Sequence, residues 1–220
     1  MTTQAELLTA YAAGTTSPGL ALLCSAHLTL SPESRRFVAG LEEVNGVLLR
    51  ETEASEPMAS NGFDALMARI DADGDAAAER PSARPSAAAR TSGEAGPLTR
   101  PVADAVGVDF ADIPWKRKLA GISEHKLPCY APESVSLLKA PPGARVPHHT
   151  HTGGEATLIL AGEMRDGARR LTVGDIALNG PDDNHHPEIT GDDVCYCLIV
   201  ADGALRFKGA LGAALNLLQR

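Results

Sequence analysis

The sequence predicts a multidomain α + β protein, a small four-helix domain followed by an all-β sandwich or barrel. Three observations carry this. Apolar residues recur at helical intervals through residues 1–70, and residues 71–96 contain no large apolar residue at all. From residue 97 onward, short apolar runs are separated by Gly, Pro and Asp clusters.

Each helix carries its own signals. Residues 4–13 form a short amphipathic stretch that stops at Gly14, the usual residue past a helix end. Ser17-Pro18 offers an N-cap followed by proline in the first turn, starting a helix that extends to about Leu28. Ser31-Pro32-Glu33 repeats that signal, and Phe37, Leu41, Val44 and Leu48 follow on one helix face. A fourth helix is expected over residues 61–70, with Phe63, Leu66, Met67 and Ile70 as its apolar stripe. Four short helices leave a small core, so such a domain is marginal alone and tends to complete itself against a partner. Leu7, Leu8, Tyr11, Leu20 and Leu23 are expected to divide between that core and a partner surface.

Residues 71–96 are Ala, Ser, Pro and Gly with interspersed charges, too poor in apolar surface to offset ordering entropy. They read as a flexible linker between a domain over 1–70 and one over 97–220. In the latter, SVSLLKA, ATLILAG, DIALN and VCYCLIV are the clearest strands, and only residues 209–219 look helical.

Composition narrows the function. An apolar fraction of 44% excludes wholesale disorder, and 20 basic against 28 acidic residues argue against nucleic acid as a direct partner. The apolar runs fall short of the roughly 18–20 residues that span a bilayer, and MTTQAELL lacks a signal-peptide pattern. Cys24, Cys129, Cys195 and Cys197 are too scattered for a disulfide framework. A reduced, cytoplasmic protein without a membrane segment is expected.

Five of the seven histidines fall in residues 148–186. His149 and His151 are two apart, so on a strand both rings point to one face. Gly153-Gly154 permit a tight turn, and Glu155 begins the return strand. Two imidazoles and a carboxylate so placed suit a borderline divalent ion. Cys195 and Cys197 share a strand face, where core packing is the expected role and a redox-active thiol beside the metal the sharper alternative. Parallel side chains on one strand disfavour a disulfide between them.

Two windows resemble the cupin motifs. Gly143, His149, His151, Glu155 and Gly162 match every fixed position of the first motif. The second matches in its span from Gly174 to His185, while Gly180, Asp182 and Ile189 depart from its usual residues. The resemblance implies a cupin, a double-stranded β-helix or jelly-roll barrel, with metal ligands His149, His151, Glu155 and His185. By the same register His185 rather than His186 is the fourth ligand, and His148 faces outward.

The order of parts, with LLTAYAAGT, HLTLSPES and ALRF, is similar to ChrR-type anti-sigma factors. That resemblance implies that residues 1–70 clamp an extracytoplasmic-function sigma factor, while the cupin senses singlet oxygen or peroxide and permits release. It also implies zinc as the metal, and cupins often pair as homodimers. The family's N-terminal zinc site uses two histidines and two cysteines; here only His27 remains, and Ser31 and Ser34 stand at the cysteine positions. Serine is a poor replacement for thiolate, so one zinc per chain, in the cupin, is expected. A cupin dioxygenase or isomerase holding iron, manganese or nickel is the alternative. A purely structural zinc protein is a third reading.

Overall fold

The computed structural model describes residues 3–52, 59–79 and 96–207. Helices α1 (Gln4–Ala12), α2 (Pro18–Leu30), α3 (Pro32–Glu51) and α4 (Gly62–Glu79) occupy the first part. Thr3 and Glu6 make a reciprocal capping box on α1, while Ser17 and Ser31 accept backbone N–H bonds as N-caps of the two proline-started helices. The start signals therefore work as the sequence predicts. Helix α4 continues past Ile70 to Glu79, so the stretch read as linker begins as helix. Alanine is the best helix former, and the first proline in that stretch of sequence is Pro81. The remainder of that stretch and the helix expected over 209–219 lie outside the described residues.

A short helix, α5 (Arg100–Val106), precedes the strands and was not anticipated. The strands are β1 (Lys116–Arg117), β2 (Ser123–Lys126), β3 (Ser134–Ala140), β4 (His149–His151), β5 (Glu155–Ala161) and β6 (Glu163–Asp166). They continue with β7 (Arg169–Leu171), β8 (Ile176–Asn179), β9 (Glu188–Thr190), β10 (Cys195–Ala201) and β11 (Leu205–Phe207). A six-stranded sheet in the order β1-β2-β3-β10-β5-β8 closes against the sheets β7-β6-β9 and β11-β4 into the expected jelly-roll barrel.

Both faces of the central strands are buried. One face, with Ile159, Cys195 and Cys197, joins Met164, Leu171 and Ile189 in the barrel interior. The other, with Val135, Leu137, Leu158, Leu198 and Val200, packs against Leu7, Leu8, Leu22, Leu23 and Val38 of the helices and Val102 of α5. Double burial explains why VCYCLIV and ATLILAG are continuous apolar runs rather than alternating ones. It also changes the expected division of the chain. The helices do not close a small core of their own; they share one with the barrel.

Helix α2 is held at both ends. At its start, the Glu133 carboxylate accepts from the Ser17 hydroxyl and, at 2.9 Å, from the Gly19 N–H. A Cβ on Gly19 would stand 2.8 Å from Val135 Cγ2, so only glycine lets α2 lie this close to the sheet. Near its end, His27 Nδ1–H donates to the Gly174 carbonyl at 2.7 Å, and Nε2 lies 2.7 Å from Ser34 Oγ. The Ser31 hydroxyl donates to Ser34, and the Gln4 amide approaches both His27 and Ser34. This polar cluster joins α1, α2 and α3 at the junction that corresponds to the family's N-terminal zinc site, for which only His27 remains here, and it engages both His27 ring nitrogens.

Burial pushes the His27 ring below the ordinary histidine range. The unfolded chain therefore takes up the proton more readily. The stability His27 contributes is full above about pH 6.5 and shrinks as the pH falls below that value. His27→Gln is expected to flatten the fall of the unfolding midpoint between about pH 7 and 5; an unchanged slope would refute this. His149 contributes a slope of the same sign and remains in the variant.

Candidate metal centre

Strand β4 does not pair with β5, as a simple return strand would; it pairs with β11, and the chain crosses to the other sheet through residues 152–154. The crossing is tight enough that a Cβ on Gly153 would overlap the Asp202 carboxylate. It turns Glu155 back beside the β4 histidines. His185 arrives from the opposite side through a backbone bridge to His149, with both N–H···O bonds at 3.1 Å. Alternation within β4 and this bridge bring His149, His151 and His185 together.

One ring nitrogen from each of these histidines lies within 4.8 Å of the others, and all three residues are buried. Ligands of a tetrahedral zinc sit about 3.3 Å apart, so small side-chain movements would close the set. Glu155 stands at its edge, Oε2 3.0 Å from His151 Nε2 and Oε1 3.9 Å from His185 Nε2. His148 and His186 are exposed and stack on each other with ring centres 4.1 Å apart, clear of the cluster as the spacing predicts.

The donor chemistry fits a cation. His149 Nδ1–H donates to the Pro147 carbonyl at 2.8 Å, leaving Nε2 as a lone-pair donor. Burial pushes His149 down to about 4, so the ring is neutral near pH 7. Burial raises the Glu155 carboxyl, but the contact with His151 and the nearby His185 and His149 rings outweigh it and hold the group below its ordinary value. Both ring nitrogens of His151 and Nε2 of His185 are buried without a hydrogen bond. Such orphaned nitrogens cost stability unless something electrophilic meets them. A divalent ion held by these rings and Glu155 would do so.

Cys195 and Cys197 are free and buried with their sulfurs 3.5 Å apart in the barrel interior. That suits the packing role. The sequence gives no warning of Asp166, a buried carboxylate 3.1 Å from His185 Nδ1. Its only local signal is the Asp166-Gly167 turn pair, which reads as an ordinary hairpin tip.

The profile of the family described as ChrR Cupin-like domain matches residues 103–205. The anti-sigma-E factor ChrR of Cereibacter sphaeroides is 35% identical over 205 residues, covering 93% of this chain and 91% of that protein. The chain belongs to the ChrR family. A crystal structure of Rhodobacter sphaeroides SigE in complex with the anti-sigma ChrR matches with 31% identity and a TM-score of 0.73. That match covers 91% of this chain and 97% of the other, so the ChrR likeness extends through helices and barrel alike. Other cupin structures match less of the chain; an RmlC-like cupin of Ralstonia eutropha has a TM-score of 0.40.

Proposed function

We propose that this chain is a cytoplasmic anti-sigma factor that sequesters an extracytoplasmic-function sigma factor through residues 1–70. In this reading the cupin holds one zinc ion on His149, His151, Glu155 and His185 and permits release under singlet oxygen or peroxide. The observation that carries it is an apolar surface that no described residue covers. Phe63, Leu66, Met67 and Ile70 recur at i, i+3, i+4 and i+7 along α4, and all are exposed, Phe63 by 65%. On α3, Val44, Val47, Leu48 and Leu49 are exposed as well, Leu49 by 75%.

Soluble proteins rarely expose such a stripe unless a partner buries it. A helix with this spacing suits an apolar groove on the partner. The full-length likeness to an anti-sigma crystallised with its sigma factor supplies the partner class. By contrast, Leu7, Leu8 and Leu23 are buried, and Tyr11 and Leu20 pack against the same core, which leaves the partner surface to α3 and α4. No described helix is long and apolar enough to cross a membrane.

Co-expression with each extracytoplasmic-function sigma factor of the same genome tests the proposal, and one of them should give a one-to-one complex. Replacing Phe63, Leu66 and Ile70 together with serine should weaken that complex at least about a hundredfold, at roughly 1–3 kcal/mol per buried side chain. The midpoint of the free protein should hardly move, because these side chains lie outside its core. Recovery of a full-strength complex from the triple variant would remove α4 from the interface. Failure of the unmodified chain to bind would remove the sigma-factor reading itself.

A further inference from the structure

We infer that Asp166, braced by Arg169, is a positioning residue that fixes the tautomer and orientation of His185 for metal binding; this rests on the reading that the barrel holds a metal. His149 and His185 present the same problem and solve it differently. Each ring must keep a proton on Nδ1 so that Nε2 is left with a lone pair pointing into the cluster. His149 donates to the carbonyl of Pro147, two residues away on its own segment. His185 has no such neighbour. Its Nδ1 lies 3.1 Å from Oδ2 of Asp166, which reaches it from the β6–β7 hairpin.

A lone carboxylate in that position would be expensive, since Asp166 is only 4% exposed. Arg169 offsets the cost. It is the cross-strand partner of Asp166 at the hairpin tip, and its Nη2 donates to Asp166 Oδ2 at 2.6 Å. The same nitrogen donates to Asn179 Oδ1 at 2.7 Å, tying the hairpin to the end of β8 beside His185. Burial raises the Asp166 carboxyl, but the bonds to His185 and Arg169 more than reverse this and keep it ionised.

Two groups meet His185 Nδ1: the Asn179 Nδ2 amide at 3.3 Å and, closer and charged, the Asp166 carboxylate at 3.1 Å. The carboxylate can only accept and so favours the proton on Nδ1, leaving the buried Nε2 without a hydrogen bond. A negative partner also raises the donor strength of the ring. The arrangement distinguishes His185 from its neighbour: His186 is exposed and stacked on His148, out of reach of this brace.

The test is competition for Zn2+ between full-length protein and a chromophoric chelator. Asp166→Ala should lower affinity about 10–100-fold while still reaching one ion per chain at saturation. Ring 15N shifts of the metal-free protein should show His185 as the Nδ1–H form in the unmodified chain and as a tautomer mixture in the variant. Asp166→Asn keeps an acceptor at nearly the same volume and should retain most of the tautomer preference with an intermediate affinity. It also stands in if the alanine variant does not fold. Arg169→Met separates the brace from the hairpin staple and should keep the tautomer with a smaller loss.

Equal affinity and an unmixed tautomer in Asp166→Ala would overturn the inference while leaving the metal reading intact. A loss in Arg169→Met as large as in Asp166→Ala, with the His185 tautomer still unmixed, would also overturn it, because hairpin integrity would then be the cause. Absence of Zn2+ binding by the unmodified protein would instead overturn the underlying metal reading.

Discussion

Replacing His151 with alanine should leave purified protein with less than a tenth of the metal that the unmodified chain retains, measured as zinc per chain by elemental analysis. Zinc held by four protein ligands is worth on the order of 10 kcal/mol or more, so one ligand accounts for roughly 3 kcal/mol, about a hundredfold in affinity. His151 is the most informative choice because its ring meets both His149 and Glu155, with Nε2 3.0 Å from Glu155 Oε2. Its removal takes that contact from a buried carboxylate, so the metal-free variant should unfold below the metal-free parent. Chelator treatment should lower the midpoint of the parent by about 10 °C, given roughly 4 kcal/mol of binding linkage at a thousandfold excess over Kd, and leave the variant unmoved. His148→Ala and His186→Ala should retain the metal. Parental zinc content in His151→Ala would remove the centre from this cluster, and two ions per parent chain would place a second one elsewhere.

A second large effect tests the shared core. Leu23 is fully buried where α2 meets the barrel. Leu23→Ala should cost about 2–5 kcal/mol and lower the midpoint of the whole chain by roughly 10 °C in one cooperative transition. Gly19→Val should act in the same direction, since its side chain would displace Val135 or Val200 and push α2 off the sheet. If Leu23→Ala instead split the melt into two steps and left the barrel's step in place, helices and barrel would be separate folding units.

Much of this was legible because it is local. Ser17-Pro18 and Ser31-Pro32 start helices wherever they occur, since a hydroxyl and a fixed φ satisfy the first turn without help from the rest of the chain. The candidate ligands were readable for the same reason. Alternation along β4 puts His149 and His151 on one face, and the resemblance to the second cupin motif, counted from Gly174, nominates His185, which the bridge to His149 then seats. Helix α5 escaped because a seven-residue helix has too few turns to show a periodicity. The linker boundary moved because an alanine-rich stretch reads equally as a spacer and as the continuation of α4.

The sequence by itself determined the two kinds of secondary structure, the helix starts, the motif spacing that nominates His149, His151, Glu155 and His185, and the outward place of His148. All of these depend on segments of about twenty residues or fewer. Tertiary structure alone decided which apolar surfaces are core and which are free. Leu23 and Phe63 are both apolar residues on amphipathic helices, yet one is sealed against the barrel and the other faces solvent. It also decided that Glu133 and Gly174 would hold α2 at its two ends, and that Asp166 would reach His185 across nineteen residues of chain. Such choices depend on which surfaces meet, and hydrophobic burial is non-directional; it specifies that apolar area be covered without specifying by what.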